Sequence, residues 1–304
     1  MTGESVLITF CAACDISMSA TKLFKDVVRY VWNEPSNKGR RCGKLISAFI
    51  WQLRKRISTK PVTVRLWNGA QYIAYPQDSM ASFAFYAHIY QSEFISFADR
   101  VASDGAMVDV GANVGLFALS LSHRFKESVL YEASAEASRK AQENITLNSL
   151  NQYRIRGLAV SDSVGTVNFS ALAPTGLTNK ISTDPSGILI DATTLDDDLD
   201  NDFKRRLSFL KIDVEGAEIN VLRGATETLA AAPNLLIMFE RLKTSGLDEI
   251  NELLEAQGYS VFAIHMGLPD QTPDRLRTAH DLFACKQSQF EAVCRRAHET
   301  LLKT

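Results

Sequence analysis

The chain has 304 residues, of which 46% are hydrophobic and 22% charged, with a formal net charge of −2. That composition supplies a sizeable core and excludes both a disordered chain and a small disulfide-stapled scaffold. No apolar run reaches the roughly 20 residues a membrane span needs, and Val6–Ala13 has no basic residue before it, unlike a secretory leader.

The first twenty residues carry no strong pattern and are expected to be poorly ordered. Thr21–Trp32 and Gly43–Ile57 read as helices broken at Pro35–Gly39. In the second, Leu45, Ile46, Phe49, Ile50, Leu53 and Ile57 recur on one face. Val62–Trp67 and Gln71–Tyr75 alternate as strands about the turn signal Asn68-Gly69, and the aromatic-rich Ser82–Asp99 reads as a helix. From Met107 the pattern becomes strand, helix, strand, helix. Strands fall at Met107–Val110, Ser128–Glu132, Tyr153–Val160, Phe209–Val214, Leu235–Glu240, Tyr259–Ile264 and Asp281–Lys286. Helices fall at Leu116–Arg124, Ala135–Asn148, Ala217–Ala231 and Leu247–Gln257, with a closing helix at Gln287–Leu302. Such alternation predicts a parallel sheet covered on both faces. The last two strands lack a helical crossover and are expected to form an antiparallel hairpin at the sheet edge. The division expected is an N-terminal helical and hairpin extension over residues 1–100, then a cofactor-binding domain over 101–304.

Met107–Gly115 holds the most chemistry. A strand ends at Asp109, and Gly111 and Gly115 bracket a tight loop that opens a helix, where backbone N–H groups could meet a carboxylate or phosphate. Acids close five successive strands: Asp109, Glu132, Asp162 after Ser161, Asp213 and Glu240. Glu132 stands at the end of the next strand, where an acid accepts hydrogen bonds from ribose hydroxyls. Asp162 could accept from an adenine amino group, although Ser161–Gly165 is also good turn chemistry. A dinucleotide loop would read G-x-G-x-x-G. Here Asp109 lies two residues before the first glycine, where it would repel a pyrophosphate and attract an ammonium. Electrostatics therefore favour S-adenosylmethionine over NAD.

Val108–Gly115, Tyr131-Glu132, Ala159–Asp162, Thr194-Leu-Asp196 and Lys211-Ile-Asp-Val-Glu-Gly-Ala-Glu218 resemble, in order, the motifs of the FkbM family of methyltransferases. Leu222–Ala225 and Ile237–Glu240 extend the resemblance, which runs from about Tyr86 to Phe262. It implies a Rossmann-like class I methyltransferase fold, α/β, with a seven-stranded, mostly parallel sheet whose last strand is antiparallel. It further implies that Asp109, Gly111, Asn113 and Gly115 form the S-adenosylmethionine loop, that Glu132 holds the ribose and Asp162 the adenine, and that Asp213 stands beside the methionine portion. The activity implied is mostly O-methylation of a hydroxyl on a glycan, lipid-linked sugar or secondary metabolite. Alternatives are a nucleotide-dependent oxidoreductase and an inactive methyltransferase fold that serves as a binding partner.

A hydroxyl is a weak nucleophile, so a base would help. The candidates are Asp213, Glu215, Glu218, Glu240, Glu93 and His265, with Asp213 and Glu215 taken as the catalytic pair. A divalent metal held by Asp213 and Glu240 is conceivable, but no histidine or third ligand is specified, and no metal is expected. Five cysteines, at positions 11, 14, 42, 285 and 294, are odd in number and read as reduced thiols of a cytoplasmic protein. Cys11-Ala-Ala-Cys14 lacks a second pair or a histidine to complete a zinc site. Charge is unevenly placed: between Lys22 and Arg65 twelve Lys/Arg face only Asp26 and Glu34, which leaves the remainder net acidic by twelve. Around the Gly43–Ile57 helix this suggests either peripheral contact with anionic lipid or, the favoured reading, a cap helix with a solvated basic rim. The expected acceptor is a small molecule or glycan, not nucleic acid, for which no motif is present. The sequence leaves the oligomeric state open.

Overall fold

The computed structural model describes residues 20–170, 180–181, 188–241 and 247–301. The readings made for the first nineteen residues, including Cys11–Cys14, and for Leu302 lie outside them. Helices Ala20–Asn33 and Arg41–Ile57 lead into the hairpin β1 (Val62–Arg65) and β2 (Gln71–Ala74). Helices Ala81–Tyr86 and Ser92–Val101 follow. Then come β3 (Ala106–Val110), β4 (Glu127–Tyr131) and β5 (Tyr153–Arg156), with helices Leu116–Ser120 and Ala135–Leu147 between them. A smaller group follows: β6 (Ala159–Val160), β7 (Gly165–Ser170), β8 (Lys180–Ile181) and β9 (Ile188–Thr193). The chain returns through β10 (Leu207–Ile212), β11 (Leu236–Glu240), β12 (Tyr259–His265), β13 (Leu268–Asp270) and β14 (Asp281–Lys286), and helix Phe290–Leu301 follows β14.

The main sheet runs β13-β12-β14-β11-β10-β3-β4-β5. Its run from β11 to β5 is parallel, and β14 is antiparallel to both neighbours. This is the Rossmann-like class I methyltransferase sheet with its reversed last strand, plus the short β13 at one edge. The expected edge hairpin needs correcting. β12 and β14 do pair, but β14 inserts between β11 and β12, and a short helix, Pro273–Thr278, lies in the connection.

Strand alternation gives the sheet two apolar faces. Val108, Val110, Leu210 and Ile212 face one core with Phe203, Leu229 and Leu254. Met107, Leu130 and Phe209 face the other with Phe97, Phe262, Phe283 and Val293. Phe97 lies on the helix Ser92–Val101, so this helix shares the core of the main sheet. A third cluster joins the N-terminal helices and hairpin to the glycine loop and its helix, with Trp51, Tyr72 and Tyr86 packed with Val114, Leu116 and Leu119.

Three expected continuous elements are broken, each for a visible reason. The helix over 82–99 stops at Tyr86 and restarts at Ser92, because side chains from elsewhere take its backbone groups. Asn37, fully buried, donates Nδ2 to the Tyr86 carbonyl and accepts the His88 N–H at Oδ1, while Lys44 Nζ donates to the Ala87 carbonyl. The strand over 153–160 divides at Gly157, and its second half leaves for the smaller sheet β6-β9-β7-β8, which the sequence reading did not anticipate. The helix over 217–231 breaks between Glu218–Arg223 and Thr226–Ala231. There Gly224 passes so close to the chain that a Cβ would stand 2.0 Å from the Ser161 carbonyl oxygen. Asp196 caps the second piece, its carboxylate accepting the N–H groups of Glu227 and Thr228.

Candidate active site

Parallel register places Lys211 directly beside Asp109 and Phe209 beside Met107, so both charges point to the same face of the sheet. Asp109 is wholly buried, and Lys211 Nζ lies 3.2 Å from its Oδ1. The same ammonium lies 3.2 Å from Asp213 Oδ2 and 3.3 Å from the Gly111 carbonyl, over the Phe117 ring. Burial alone would pull the Lys211 pKa down, but Asp109 and Asp213 together hold it above its ordinary value. Burial pushes the Asp109 pKa up, against the pull of Lys211. Lys211 is thus a clamp tying the ends of β3 and β10 to the glycine loop.

The loop itself leaves little for an anion. The N–H groups of Gly111 and Ala112 both donate to the Tyr131 carbonyl, that of Asn113 to Glu132 Oε2 at 2.7 Å, and that of Gly115 to the Ala112 carbonyl. Four of the five N–H groups that a phosphate would need are therefore already spent within the protein. The tightness has a steric cause: Gly111 has φ +76°, and a Cβ on it would stand 1.8 Å from the Asp213 carbonyl oxygen. Asn113 is also left-handed, at φ 50°.

Glu132 is partly buried and fixed from both sides, accepting from Asn113 at Oε2 and from the Ser134 N–H at Oε1. Burial raises its pKa, and those two N–H groups oppose the rise. Its carboxylate keeps further lone pairs for hydroxyl donors. Asp162 is exposed in the turn after β6, where it accepts from the Ser163 hydroxyl at 3.2 Å.

Past β10, Asp213, Glu215 and β11's terminal Glu240 converge, each presenting an oxygen within 4.8 Å of the others. Glu215 is held at φ 55°. Glu218, wholly buried, braces that turn by accepting the N–H groups of Val214 and Gly216. Burial, then Asp213 and Glu215, push the Glu240 carboxyl up to about 10, so it carries a proton at neutral pH. Its Oε1 lies 3.3 Å from His280 Nδ1, and its buried Oε2 has no hydrogen-bond partner. A cluster of this size could also hold a divalent ion, with Glu215 as the third ligand that the sequence did not specify. Such an ion would have to displace the Glu240 proton and settle near the Lys211 ammonium.

The other base candidates stand apart from this cluster. Glu93 is exposed on the first turn of Ser92–Val101. His265 ends β12, beyond β14 from Glu240, with its Nε2 3.1 Å from Arg275 Nη2.

Two supporting residues had no role assigned from sequence. Lys211 stood in the Lys211–Glu218 motif and was otherwise signalled by a charge inside an apolar strand. Asn144, 1% exposed, donates to the Val114 carbonyl and accepts the Ile73 N–H, tying the loop to β2. Its signal was a polar residue on a helix's apolar face.

The donor set suits a cationic, hydroxyl-bearing cofactor. Carboxyl groups surround a loop with four of its five N–H groups spent, and Asp109 Oδ2 and Glu240 Oε2 are buried without a hydrogen-bond partner. The sequence matches the Methyltransferase FkbM domain over residues 109–261. Methyltransferase 1 of Beauveria bassiana (strain ARSEF 2860) is 26% identical over 200 residues, which cover 57% of this chain and 78% of that protein. Similar solved structures include a SAM-dependent O-methyltransferase from Thermotoga maritima, with a TM-score of 0.39, 17% identity and 64% of each chain covered. Another is the Pyrococcus abyssi tRNA (uracil-54, C5)-methyltransferase in complex with S-adenosyl-L-homocysteine, with a TM-score of 0.41 and 13% identity over 74% of this chain and 43% of that one. The chain belongs to the FkbM family of methyltransferases. Its methyl donor is S-adenosylmethionine.

Proposed function

We propose that the protein transfers a methyl group to a hydroxyl of a small molecule or glycan, such as a lipid-linked sugar or secondary metabolite. The observation that carries this reading is the convergence of carboxyls past the loop: Asp213, ion-paired to Lys211, with Glu215 and Glu240 each presenting an oxygen within 4.8 Å of the others. S-adenosylmethionine, when bound, supplies a methyl group already activated by its sulfonium. The protein's part is then alignment and proton handling. Residues 111–115 form the floor of the cofactor site, Glu132 receives the ribose hydroxyls and Asp162 the adenine amino group. Asp109 acts through Lys211, positioning the loop. Asp213 takes the proton from the acceptor hydroxyl, with Glu215 beside it. Glu240 donates its proton in a hydrogen bond that orients the acceptor oxygen.

The test is methyl transfer from labelled S-adenosylmethionine to a panel of glycans, lipid-linked sugars and metabolites. With an acceptor in hand, Asp213→Asn lowers kcat by at least a hundredfold, in the range of lost general-base catalysis, and leaves cofactor affinity within a few-fold. A fully active variant would remove Asp213 as the base. Methylation confined to nucleic acid or to a nitrogen would overturn the hydroxyl acceptor.

A further inference from the structure

The helix Arg41–Ile57 packs on the protein, but not through its apolar stripe. It is anchored by the opposite side. Ala48 and Trp51 are buried, Trp51 donates Nε1 to Ser82 Oγ at 3.1 Å and stacks on Phe85, and Lys44 caps the carbonyls of Ala84 and Ala87. The stripe Ile46, Phe49, Ile50, Leu53 and Ile57, spaced to fill an arc about 100° wide, is left between 49% and 75% exposed. Trp32 of the neighbouring helix, 49% exposed, lies beneath the Arg41 guanidinium at the start of the same helix. Such a patch is large for a surface that water alone covers.

Its rim and its surroundings are basic. At helical spacing Arg54 and Arg56 fall on the two flanks of the stripe. The segment from Lys22 to Arg65 carries a surplus of ten positive charges on a chain that is otherwise acidic. We infer that this helix face is a docking surface for an anionic lipid bilayer, the stripe entering the headgroup boundary while the basic flanks meet lipid phosphates. Among the described residues no helix is long and apolar enough to cross a membrane, so the contact is peripheral. A second copy is a poorer occupant, since pairing this face with itself would bring two positive surpluses together. Nucleic acid would meet the arginines but leave the aliphatic stripe unused. The inference is independent of the acceptor proposed above, because it concerns a surface on the far side of the helix from its packing contacts.

Cosedimentation of the full chain with phosphatidylcholine vesicles, with and without phosphatidylglycerol, tests it. The protein pellets with the anionic vesicles and stays in solution with the neutral ones, and raising salt weakens binding. Phe49→Ser with Ile50→Ser lowers partitioning at least tenfold, as does Arg54→Gln with Arg56→Gln, while affinity for S-adenosylhomocysteine is unchanged in both. Wild-type protein that ignores anionic vesicles would overturn the inference, as would a serine variant that pellets equally well. Dimerisation abolished by the same serines without vesicle binding would assign the face to a second copy, and retention on RNA without vesicle binding would assign it to nucleic acid.

Discussion

Glu240 owes its proton to its surroundings. Largely buried and close to Asp213 and Glu215, it holds that proton up to about pH 10, whereas an unfolded chain releases it near the ordinary 4.5. Between those limits the folded state binds one more proton than the unfolded state. This residue's share of the stability is therefore complete at low pH and is lost as pH rises, by about 1.4 kcal/mol per pH unit. Glu240→Gln keeps the hydrogen-bonding shape without the titration. Its melting temperature should exceed that of the wild type by a margin that widens from about pH 5 to about pH 8, by roughly 2 °C per kcal/mol in a chain of this size. A margin constant with pH would show that Glu240 is ionised in the fold. At this scale the sequence was legible wherever a residue type is unusual for its place. An acid at the end of a buried strand stands out, and so Asp109, Glu132, Asp213 and Glu240 could all be named. Lys211 was harder, because its purpose appears only when parallel register sets it beside Asp109. Glu218, a candidate base by spacing, instead braces a backbone turn, a distinction that depends on which N–H groups come within its reach.

Elements were readable as far as periodicity decides them. The amphipathic pattern of 135–148 and the apolar runs of the main strands correspond closely to the observed spans. Breaks were not readable, since they are imposed by partners distant in sequence. Asn37 and Lys44 end one helix from about 50 and 43 residues away. Gly224 ends another by approaching Ser161. Its φ of −79° suits any residue, so only space requires glycine there. Gly224→Ala must push the Ser161 backbone aside and should cost about 1–3 kcal/mol, the usual range for overpacking. Chemical denaturation measures it, and a neutral substitution would contradict the close approach. The small sheet escaped notice because β6 is two residues long and its register is set by pairing with β9, not by any alternation of its own. The motif Thr194-Leu-Asp196 proves structural at the same scale. Thr194 caps the short helix Leu195–Asp198, and Asp196 caps the distant helix Thr226–Ala231.

Across the whole molecule, the alternation of strands and helices announced the sheet, and a reversed final strand was foreseen although its insertion between β11 and β12 was not. What the sequence could not convey is how the first hundred residues attach. Asn68, at the β1–β2 turn, donates to the carbonyls of Leu119 and Ser120, while Asn144 and Asn148 hold β2 from the other side. The N-terminal layer is therefore built onto the glycine loop's own helix, and its exposed stripe faces away from that attachment. A lipid-docked layer and a cofactor loop sharing one core would suit an acceptor presented at a membrane surface. The central claim is that the loop and its carboxylates form a site for S-adenosylmethionine, and calorimetric titration with S-adenosylhomocysteine tests it most directly. The wild type should bind with a single-site isotherm, and Glu132→Ala should weaken binding at least tenfold through the lost charge-assisted hydrogen bonds, with the fold retained by circular dichroism. Absence of binding by the wild type, or equal affinity in the variant, would contradict the account.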